Sequence, residues 1–497
     1  MSSLEKYFEQ FRQNIVGIDA QIPTPQGIKP LLYADWIASG RMYKPIEETI
    51  DQKILPYVAN THSEASYVGM YMTNAYQLAH KVIKKHVNAN EDDVLITADA
   101  GMTRAVNKFI RILGLKMPDE QSFFFHKTGI KVPSLCNLGD DRPVVFISHF
   151  EHHSHQLTWL ETCSEVVIVP PTEGLEFSLE NLQKLLEQYK HRKIKIGAFS
   201  AGSNVTGIMT PVFECAKLMH NYDGYCFVDY AGAAPYVNID MHPQDNQAYL
   251  DAIYFSPHKF LGGPGSAAVL VFNKKFYHNL SPDHPGGGTV KWTNPWNGIG
   301  YYNEIEMRED GGTPAFLQTI RTALAIKLKE QMGVDNILAR EKELLEIAFD
   351  RLNKMNCVNI LAQNAKERLG VVSFYCTHIH HNLMVRLLND FFGIQVRGGC
   401  SCAGTYGHYL FNIDKETSKR FTEMIDKGDS TKKPGWVRIS LHPTMTNSEL
   451  NFVLNAIEQI TSQPDNFTKD YSQQKCSGEW FHNSFVDKKE ELMKIFS

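Results

Sequence analysis

Residues 253–265 read IYFSPHKFLGGPG, and this stretch decides how the chain is expected to fold. A run of β-branched and aromatic residues ends at Ser256, and Lys259 follows it in a turn of small residues. A lysine directly after a buried strand can form a Schiff base with an aldehyde when its surroundings keep the amine partly neutral. Ser256 and His258 stand beside it with groups that hydrogen-bond a phosphate. By itself such a stretch more often holds an ordinary solvated lysine, so the neighbouring segments decide between the two.

Short apolar runs alternate with helix-period segments on both sides of this stretch. The seven runs are residues 94–97, 144–148, 166–169, 194–199, 225–229, 253–256 and 267–272. Helical patterns fall between several of them, for example at 179–189 and 212–220. Near-continuous apolar strands separated by helices predict an α/β domain with a mostly parallel seven-stranded sheet and helices on both faces.

A long helical pattern over 315–331 leads into a second unit, for which we predict a smaller α+β fold. Its expected helices are residues 341–353, 382–391 and 447–463, and its expected strands are residues 371–375 and 437–440. The predicted division is therefore an N-terminal arm at 1–45, a large domain at 46–325 and a small domain at 326–497. Two long polar connections, 117–142 and 403–435, are expected to carry function or interface contacts, and the second includes a charged helix-like segment at 414–427.

Composition excludes several classes of protein. The 497 residues include 50 Lys+Arg and 55 Asp+Glu, a formal net charge of −5, with no basic block for nucleic acid or an anionic membrane. No apolar run is long enough to span a bilayer, and the charged N-terminus does not look like a signal peptide. The nine cysteines are scattered singly except for Cys400 and Cys402, which predicts a reducing, cytoplasmic setting rather than a disulfide framework.

Two further motifs lie at the ends of predicted strands. Asp229 ends the run at 225–229, where a carboxylate can pair with a protonated pyridine nitrogen or, equally, begin an ordinary turn. Met102 and Thr103 follow Gly101 at the start of an amphipathic helix, where free backbone N–H groups form an anion site or a simple helix cap.

Histidines cluster after the run at 144–148. This group can be read as a metal site, as an aromatic platform for a flat cofactor, or as surface histidines; its members are His149, His152, His153 and His155. No acidic or cysteine partner stands at familiar zinc spacing, so no metal is predicted. A second group, at 378–381, is expected to cap or flank a helix.

The C-terminal part contributes two arginines and the cysteine pair. Arg397 precedes two glycines, Cys400 and Cys402, and Arg438 follows the long connection. Arginine is the natural bidentate clamp for a substrate carboxylate, and a cysteine on a mobile, glycine-flanked loop can act as a nucleophile. Half of a metal site and buried structural cysteines remain alternatives.

In chain order these motifs form one pattern, and the sequence resembles the class V aminotransferase family of pyridoxal-phosphate enzymes, within the fold-type I group. The resemblance runs from Tyr33-Ala34-Asp35 into the C-terminal domain and is nearest to the cysteine desulfurase and selenocysteine lyase branch. It implies pyridoxal 5'-phosphate as the cofactor and an amino acid as the substrate. It also implies a homodimer in which the loops around Thr289 and Thr313 complete the partner's site.

The resemblance also implies a role for each motif residue. Lys259 is the expected Schiff-base lysine and a catalytic residue, together with Cys402 as persulfide carrier and His152 as the ring-stacking residue, with His153 as second choice. The expected cofactor-binding residues are Met102, Thr103, His152, Asn204, Asp229, Ser256, His258, Lys259 and Thr289. The expected substrate-binding residues are Arg397, Arg438 and Asn204.

The implied reaction is cleavage of a carbon–sulfur or carbon–selenium bond. A protein is a candidate acceptor of the sulfur. One departure from the family pattern is Gly232, where a glutamine is expected to bond the cofactor oxygen. Another is the connection at 403–435, which is long enough to reshape substrate access. Transamination, racemisation or another lyase reaction on a non-cysteine amino acid therefore stays open, and Cys400 remains a candidate as resolving or alternative thiol.

Overall fold

The computed structural model describes residues 2–61, 64–119, 121–131, 139–365, 367–485 and 489–497. Its centre is a seven-stranded sheet in the order β1-β7-β6-β5-β4-β2-β3. The strands are β1 (Asp93–Ala98), β2 (Val144–Ser148), β3 (Glu165–Val169), β4 (Lys195–Ser200), β5 (Tyr225–Asp229), β6 (Ala252–Phe255) and β7 (Ala268–Asn273). Strands β2 to β6 pair in parallel, and β7 runs antiparallel to both β1 and β6. The predicted mostly parallel seven-stranded sheet is confirmed.

Helices cover the sheet and join its strands. They are α1 (Tyr67–His86), α2 (Met102–Ile112), α3 (His153–Leu160), α4 (Leu179–Gln188), α5 (Val212–Asn221) and α6 (Phe316–Met332). Local signals set their ends: the Ser66 and Ser178 side chains accept hydrogen bonds from the first turns of α1 and α4. Because both faces of the sheet are covered, residues of β2, β4 and β5 are almost all buried, as their continuous apolar sequences require.

The C-terminal unit is built on a four-stranded antiparallel sheet in the order β8-β9-β11-β10. Its strands are β8 (Val358–Ile360), β9 (Val371–Cys376), β10 (Arg397–Gly399) and β11 (Trp436–Ser440). Its helices are α7 (Val334–Leu352), α8 (His381–Phe392), α9 (Gly404–Leu410), α10 (Lys415–Asp426) and α11 (Asn447–Ser462). His380 caps α8 with its side chain, as expected of the second histidine group.

Shorter elements complete the fold. The remaining helices are Ser3–Arg12, Lys44–Thr49, Ile50–Ile54, Leu55–Tyr57, Phe123–Thr128, Pro257–Lys259, Lys274–Phe276, Ile305–Glu309, Asp465–Thr468 and Lys489–Met493. The remaining strands are Gln21–Thr24, Gly27–Pro30, Leu32–Tyr33, Val290–Thr293, Ile299–Tyr301, Ile394–Gln395, Tyr471–Gln473 and Trp480–His482. Leu32–Tyr33 pairs in parallel with Ile394–Gln395, so the N-terminal segment adds to the C-terminal unit.

Two expectations about the helices differ from the structure. The connection at 403–435 contains the helices α9 and α10, so it is more ordered than a loop, and only its helix-like part at 414–427 was expected. Helix α7 begins at Val334, seven positions before the expected start at 341, because Gly333 adopts a φ of 74° and separates it from α6. The connection at 117–142 includes the short helix Phe123–Thr128, whereas residues 120 and 132–138 lie outside the described residues.

Candidate active site

A cavity of about 210 Å³ lies beyond the carboxyl ends of β4, β5 and β6. Parallel strands leave their carboxyl ends at one edge of the sheet, so side chains that are distant in sequence meet there. The predicted site residues that line the cavity are Met102, Thr103, His152, Asn204, Asp229, Ser256, His258, Lys259, Arg397 and Arg438. The cavity therefore assembles all of the predicted cofactor and substrate residues except Thr289.

The lysine turn is held in place by close backbone contacts. Pro257 begins a single 3-10 turn, Pro257–Lys259, and the N–H of Gly40 donates to the carbonyl of His258 at 2.9 Å. A Cβ atom at Gly40 would lie 1.9 Å from the Phe260 carbonyl oxygen, and one at Gly263 would lie 1.9 Å from that of Pro257. Glycine is required at both positions because no side chain fits there.

The amine of Lys259 is shifted toward its neutral form. Burial lowers its pKa to about 8, against the opposing effect of the Asp229 carboxylate. The positive charges of Arg438 and Arg397 act in the same direction as burial. A partly neutral amine is what a lysine needs in order to attack a carbonyl group.

Thr103, Ser256 and His258 line the cavity with hydroxyl and imidazole groups that can hydrogen-bond an anion. Gly101 adopts a φ of 85° just before α2, and the N–H of Met102 donates to Ser256 Oγ at 2.8 Å. This N–H was expected to be free, so Met102 helps to position the Ser256 hydroxyl rather than offering its own donor. Burial lowers the pKa of His258 to about 4, which keeps its ring neutral near pH 7.

Asp229 interacts electrostatically with a buried ion pair that sequence reasoning missed. Its carboxylate accepts from the N–H of Ala231 at 2.7 Å, and burial raises its pKa while His155 opposes that shift. His155 Nδ1 lies 2.6 Å from the Glu151 carboxylate. Although burial opposes charge on both groups, this contact raises the pKa of His155 and lowers that of Glu151. Glutamate and histidine four residues apart, directly after a buried strand, are the sequence signal that could have identified the pair.

The four histidines of the first cluster have different surroundings. His152 caps α3 and lines the cavity, and burial followed by the charge of Lys259 lowers its pKa to about 3. Its Nδ1 accepts from the N–H of Ser154, so the neutral ring carries its proton on Nε2. His149 packs against Tyr406 and Tyr409 in the core. No group of three or more metal-ligating side chains occurs in the part of the chain that the structure describes.

Asp35 organises the arginines, and sequence analysis gave it no role. Its carboxylate contacts Arg438 Nη2 at 2.6 Å and Arg397 Nε at 3.4 Å. Arg438 is buried and also donates to the carbonyl of Asn204 at 3.0 Å, whereas Arg397 is half-exposed. The signal available in the sequence was the Tyr33-Ala34-Asp35 motif, which was used only to mark where the family resemblance begins.

Cys402 lies in a tight turn rather than in an extended segment. The N–H of Ala403 donates to the carbonyl of Cys400, and both Ser401 and Cys402 have left-handed φ angles of 50° and 57°. Ser401 lines the cavity, whereas Cys402, the next residue, is exposed and is not among the residues that line it. Because the segment turns rather than extends, Cys400 and Cys402 do not share a face through strand alternation, as an extended loop would have given. Cys400 packs against the core and is partly buried.

Thr289 is the predicted cofactor-binding residue that does not line the cavity. It is buried, and its hydroxyl donates to the carbonyl of Gly286 at 2.7 Å within its own loop. Thr313 lines a larger neighbouring cavity of about 940 Å³, which shares Thr103 with the first. The role of both loops across a dimer stays a prediction.

The residues present fit pyridoxal 5'-phosphate. Three requirements are met in one cavity: a partly neutral lysine, a buried carboxylate at the end of a strand, and a cluster of hydroxyl and imidazole groups at a helix start. Two cavity residues also carry buried polar atoms, Asn204 Oδ1 and Arg438 Nε, with no hydrogen-bond partner among the described residues. Such atoms are costly to bury unless a ligand satisfies them.

Known proteins are similar to this chain over most of its length. The model of the class-V aminotransferase family matches residues 32–453. A probable cysteine desulfurase of Halalkalibacterium halodurans is 27% identical over 378 residues, which cover 75% of this chain and 84% of the relative. A cysteine desulfurase of Haloferax volcanii is 25% identical over 422 residues, which cover 81% of this chain and 90% of the relative.

Solved structures share the fold. The apo structure of a cysteine desulfurase from Thermococcus onnurineus NA1 superposes with a TM-score of 0.71 at 22% identity, covering 91% of this chain and 98% of that one. A cysteine desulfurase from Escherichia coli gives a TM-score of 0.68 at 20% identity, covering 92% and 98%. Within the described ranges, no helix is both long and apolar enough to span a membrane.

Proposed function

Because this chain belongs to the class V aminotransferase family, we propose that it is a pyridoxal-phosphate-dependent cysteine desulfurase that removes the sulfur of L-cysteine and carries it as a persulfide on Cys402. The observation that carries the proposal is the meeting of Lys259, Asp229 and Arg438 at one cavity whose wall includes Ser401, the neighbour of Cys402. The relatives named above support the same reaction.

The cofactor, when bound, supplies an electron sink next to the reacting carbon of the amino acid. Thr103, Ser256 and His258 would hold its phosphate, with the start of α2 behind them. The Asp229 carboxylate would pair with the ring nitrogen, the Lys259 amine would hold the aldehyde carbon, and the His152 ring would cover one face.

The arginines define the substrate end of the cavity. Arg438 is held by Asp35 and by the Asn204 carbonyl, and its Nε has no partner among the described residues, so it is prepared for an anionic ligand. Arg397 approaches the same Asp35 carboxylate from the more exposed side. A substrate carboxylate at this position would replace water around two fixed cations.

The sulfur step uses Cys402. Its thiolate attacks the substrate sulfur, so that an S–S bond forms as the substrate Cβ–S bond breaks and the electron pair stays with the carbon skeleton. That skeleton takes up a proton, for which the Lys259 amine is a donor in the cavity, and leaves as alanine. The balance is L-cysteine plus the Cys402 thiol giving alanine plus the Cys402 persulfide. Two equivalents of an external thiol then release sulfide and become a disulfide.

The direct test is incubation of the holoenzyme with L-cysteine and a thiol reductant. We expect sulfide and alanine in equal amounts, and persulfide on the peptide that contains Cys402 when the reductant is left out. Cys476, an exposed cysteine remote in sequence, provides the matched control, because Cys476→Ser should leave the yield unchanged. Absence of both products over a broad pH range would contradict the proposal. L-selenocysteine in place of L-cysteine tests the selenocysteine lyase reaction at the same site.

One observation favours a second candidate, a class V aminotransferase, racemase or lyase acting on a non-cysteine amino acid. Gly232 lines the cavity, and a Cβ added there would lie 3.4 Å from the Gly202 carbonyl oxygen and 3.8 Å from Ile37 Cδ1, which is ordinary contact. The glycine therefore leaves room in the wall that a larger substrate side chain can use. Conversion of the bound cofactor to its amine form by amino acids, in a screen with keto-acid acceptors, would support this reading.

We further propose that the protein acts as a cytoplasmic homodimer with an N-terminal arm at 1–45, a large domain at 46–325 and a small domain at 326–497. The loops around Thr289 and Thr313 would then face the partner's cavity. The eight cysteines among the described residues are free thiols, which supports a reducing compartment. Light scattering of the holoenzyme tests the dimer, and a monomer with full activity would contradict it. A sulfur-acceptor protein is the proposed macromolecular partner.

A further inference from the structure

We propose that His153 is a positioning residue that holds the turn carrying Cys402 against α3. The inference rests on the proposed function only for what Cys402 does, because the contacts themselves are those of this chain. His153 is the first residue of α3 and follows His152, which lines the cavity. His153 itself is absent from the residues that line the cavity, so its ring is available for another purpose.

The turn needs support from outside itself. Its two central residues, Ser401 and Cys402, both adopt left-handed φ angles, which cost energy for every residue type except glycine. Its internal contact is the bond from the Ala403 N–H to the Cys400 carbonyl at 2.9 Å. A strained turn of this kind persists only where surrounding contacts determine its conformation.

The first half of the turn is held through Ser401. Asn204 Nδ2 donates to the Ser401 carbonyl at 2.8 Å, and Trp436 Nε1 donates to the Ser401 hydroxyl at 3.1 Å. Both contacts are made to Ser401, the residue that precedes Cys402 in the chain. They leave the peptide groups that follow Cys402 to be fixed by another element.

His153 holds the second half of the turn, after Cys402, with two hydrogen bonds. Its backbone N–H donates to the Cys402 carbonyl at 2.7 Å, and its Nε2 accepts from the N–H of Gly404 at 2.9 Å. One residue therefore binds two successive peptide groups directly after the nucleophile. A Cβ atom at Gly404 would lie 3.1 Å from His153 Nε2, so the ring and the backbone are already closely packed. Since His152 caps α3 and lines the cavity, the same helix start links the cavity wall to the thiol-bearing turn.

The experiment compares His153→Leu with His153→Gln in the holoenzyme. Glutamine places an amide oxygen near the position of Nε2 and keeps the acceptor for the Gly404 N–H, whereas leucine removes it; the backbone bond of residue 153 survives in both. His153→Asn is a third variant, polar but too short to reach Gly404, and it replaces leucine if that protein does not fold.

The first readout is amide hydrogen exchange of the peptide covering residues 400–407, which does not depend on activity. We expect exchange at Gly404 to be faster by about tenfold with leucine or asparagine and close to wild type with glutamine, since one hydrogen bond is lost or kept. The second is sulfide release from L-cysteine, expected to fall about tenfold in kcat with leucine and to be rescued by glutamine, with cofactor absorbance unchanged.

The outcomes test the role of His153 separately from the proposed function. Wild-type exchange and wild-type turnover in the leucine and asparagine variants would overturn the role of His153. Equal loss in the glutamine variant would also overturn it, because the acceptor would then be irrelevant. If the wild-type enzyme releases no sulfide but the leucine and asparagine variants still lose protection at Gly404, the positioning role stands and the proposed function fails.

Discussion

At the scale of single residues, Lys259 shows how position changes chemistry. The same amine in solvent would be almost fully protonated near pH 7, but burial at the end of β6 lowers its pKa to about 8. Replacing Lys259 by alanine should leave the fold intact and abolish the covalent attachment of the cofactor, with turnover falling below detection. Borohydride treatment followed by peptide mapping checks this, because wild-type protein should carry the label at Lys259. A label retained by the Lys259→Ala variant would move the site assignment to another lysine.

The two cysteines of the turn should differ in their importance. Cys402 is exposed and directly follows Ser401, which lines the cavity, whereas Cys400 is partly buried against the core. Cys402→Ser should lose sulfide release while keeping the cofactor spectrum, and Cys400→Ser should retain a large part of the activity. Sulfide assays on both variants and on the double variant check the ranking. The reverse order would assign the nucleophile to Cys400, and full activity in all three would eliminate the persulfide mechanism.

Asp35 should act on substrate binding through the arginines. Its carboxylate holds Arg438 at 2.6 Å, and removing one member of a buried ion pair leaves the other charge uncompensated and free to shift. We expect Asp35→Asn to raise the KM for L-cysteine by about tenfold with a smaller change in kcat, because the loss is in positioning the carboxylate clamp. Steady-state kinetics measure this. An unchanged KM would mean that Asp35 contributes to folding alone.

At the scale of elements, the short turn Pro257–Lys259 depends on a glycine more than two hundred positions away. A Cβ atom at Gly40 would overlap the Phe260 carbonyl oxygen at 1.9 Å. A Cβ atom at Gly232, which lines the active-site cavity, would make only ordinary contacts. Gly40→Ala should therefore lower the free energy of unfolding by about 1–3 kcal/mol and weaken cofactor attachment, as overpacking does. Gly232→Ala should change stability by less than about 0.5 kcal/mol. Denaturant unfolding of the two variants compares them directly, and equal stability would contradict the steric argument.

At the scale of the whole molecule, buried neutral histidines should make the protein sensitive to acid. Burial lowers the pKa of His442 to about 3 from an ordinary value of 6.5. As pH falls below 6.5 the unfolded chain takes up the proton first, so the stabilising contribution is complete above pH 6.5 and is lost progressively toward pH 3. One such group should cost about 1–2 kcal/mol between pH 6.5 and 5.

The pH dependence of the melting temperature checks this, with His442→Phe as the comparison. His442 stacks on Trp36 and bonds Thr444, so the variant should be less stable at pH 8 but should lose stability less steeply below pH 6.5. Parallel curves for the two proteins would show that His442 does not contribute to acid sensitivity.

Much of this protein could be predicted from local sequence patterns. Continuous apolar runs predicted all seven strands of the main sheet to within one or two residues at each end, since burial on both faces demands such runs. The residues at the ends of those runs were therefore expected at one edge, and Asp229, Ser256 and Lys259 do line one cavity. Strand ends are local features, and the parallel arrangement brings them together without further information.

Tertiary structure alone decided the contacts between segments distant in sequence. Asp35 meets Arg438 across 403 positions, and His153, at the start of α3, meets the turn at Cys402 from about 250 positions earlier in the chain. The segment after Arg397 was expected to be a loop because of its glycines, and the structure forms β10, the turn and α9 there. Periodicity and composition report which faces a segment must bury, and they carry no information on which distant partner satisfies its polar groups. That choice is made only when the sheet, the N-terminal segment and the C-terminal unit pack together, because hydrogen bonds and ion pairs depend on distances that no local pattern specifies.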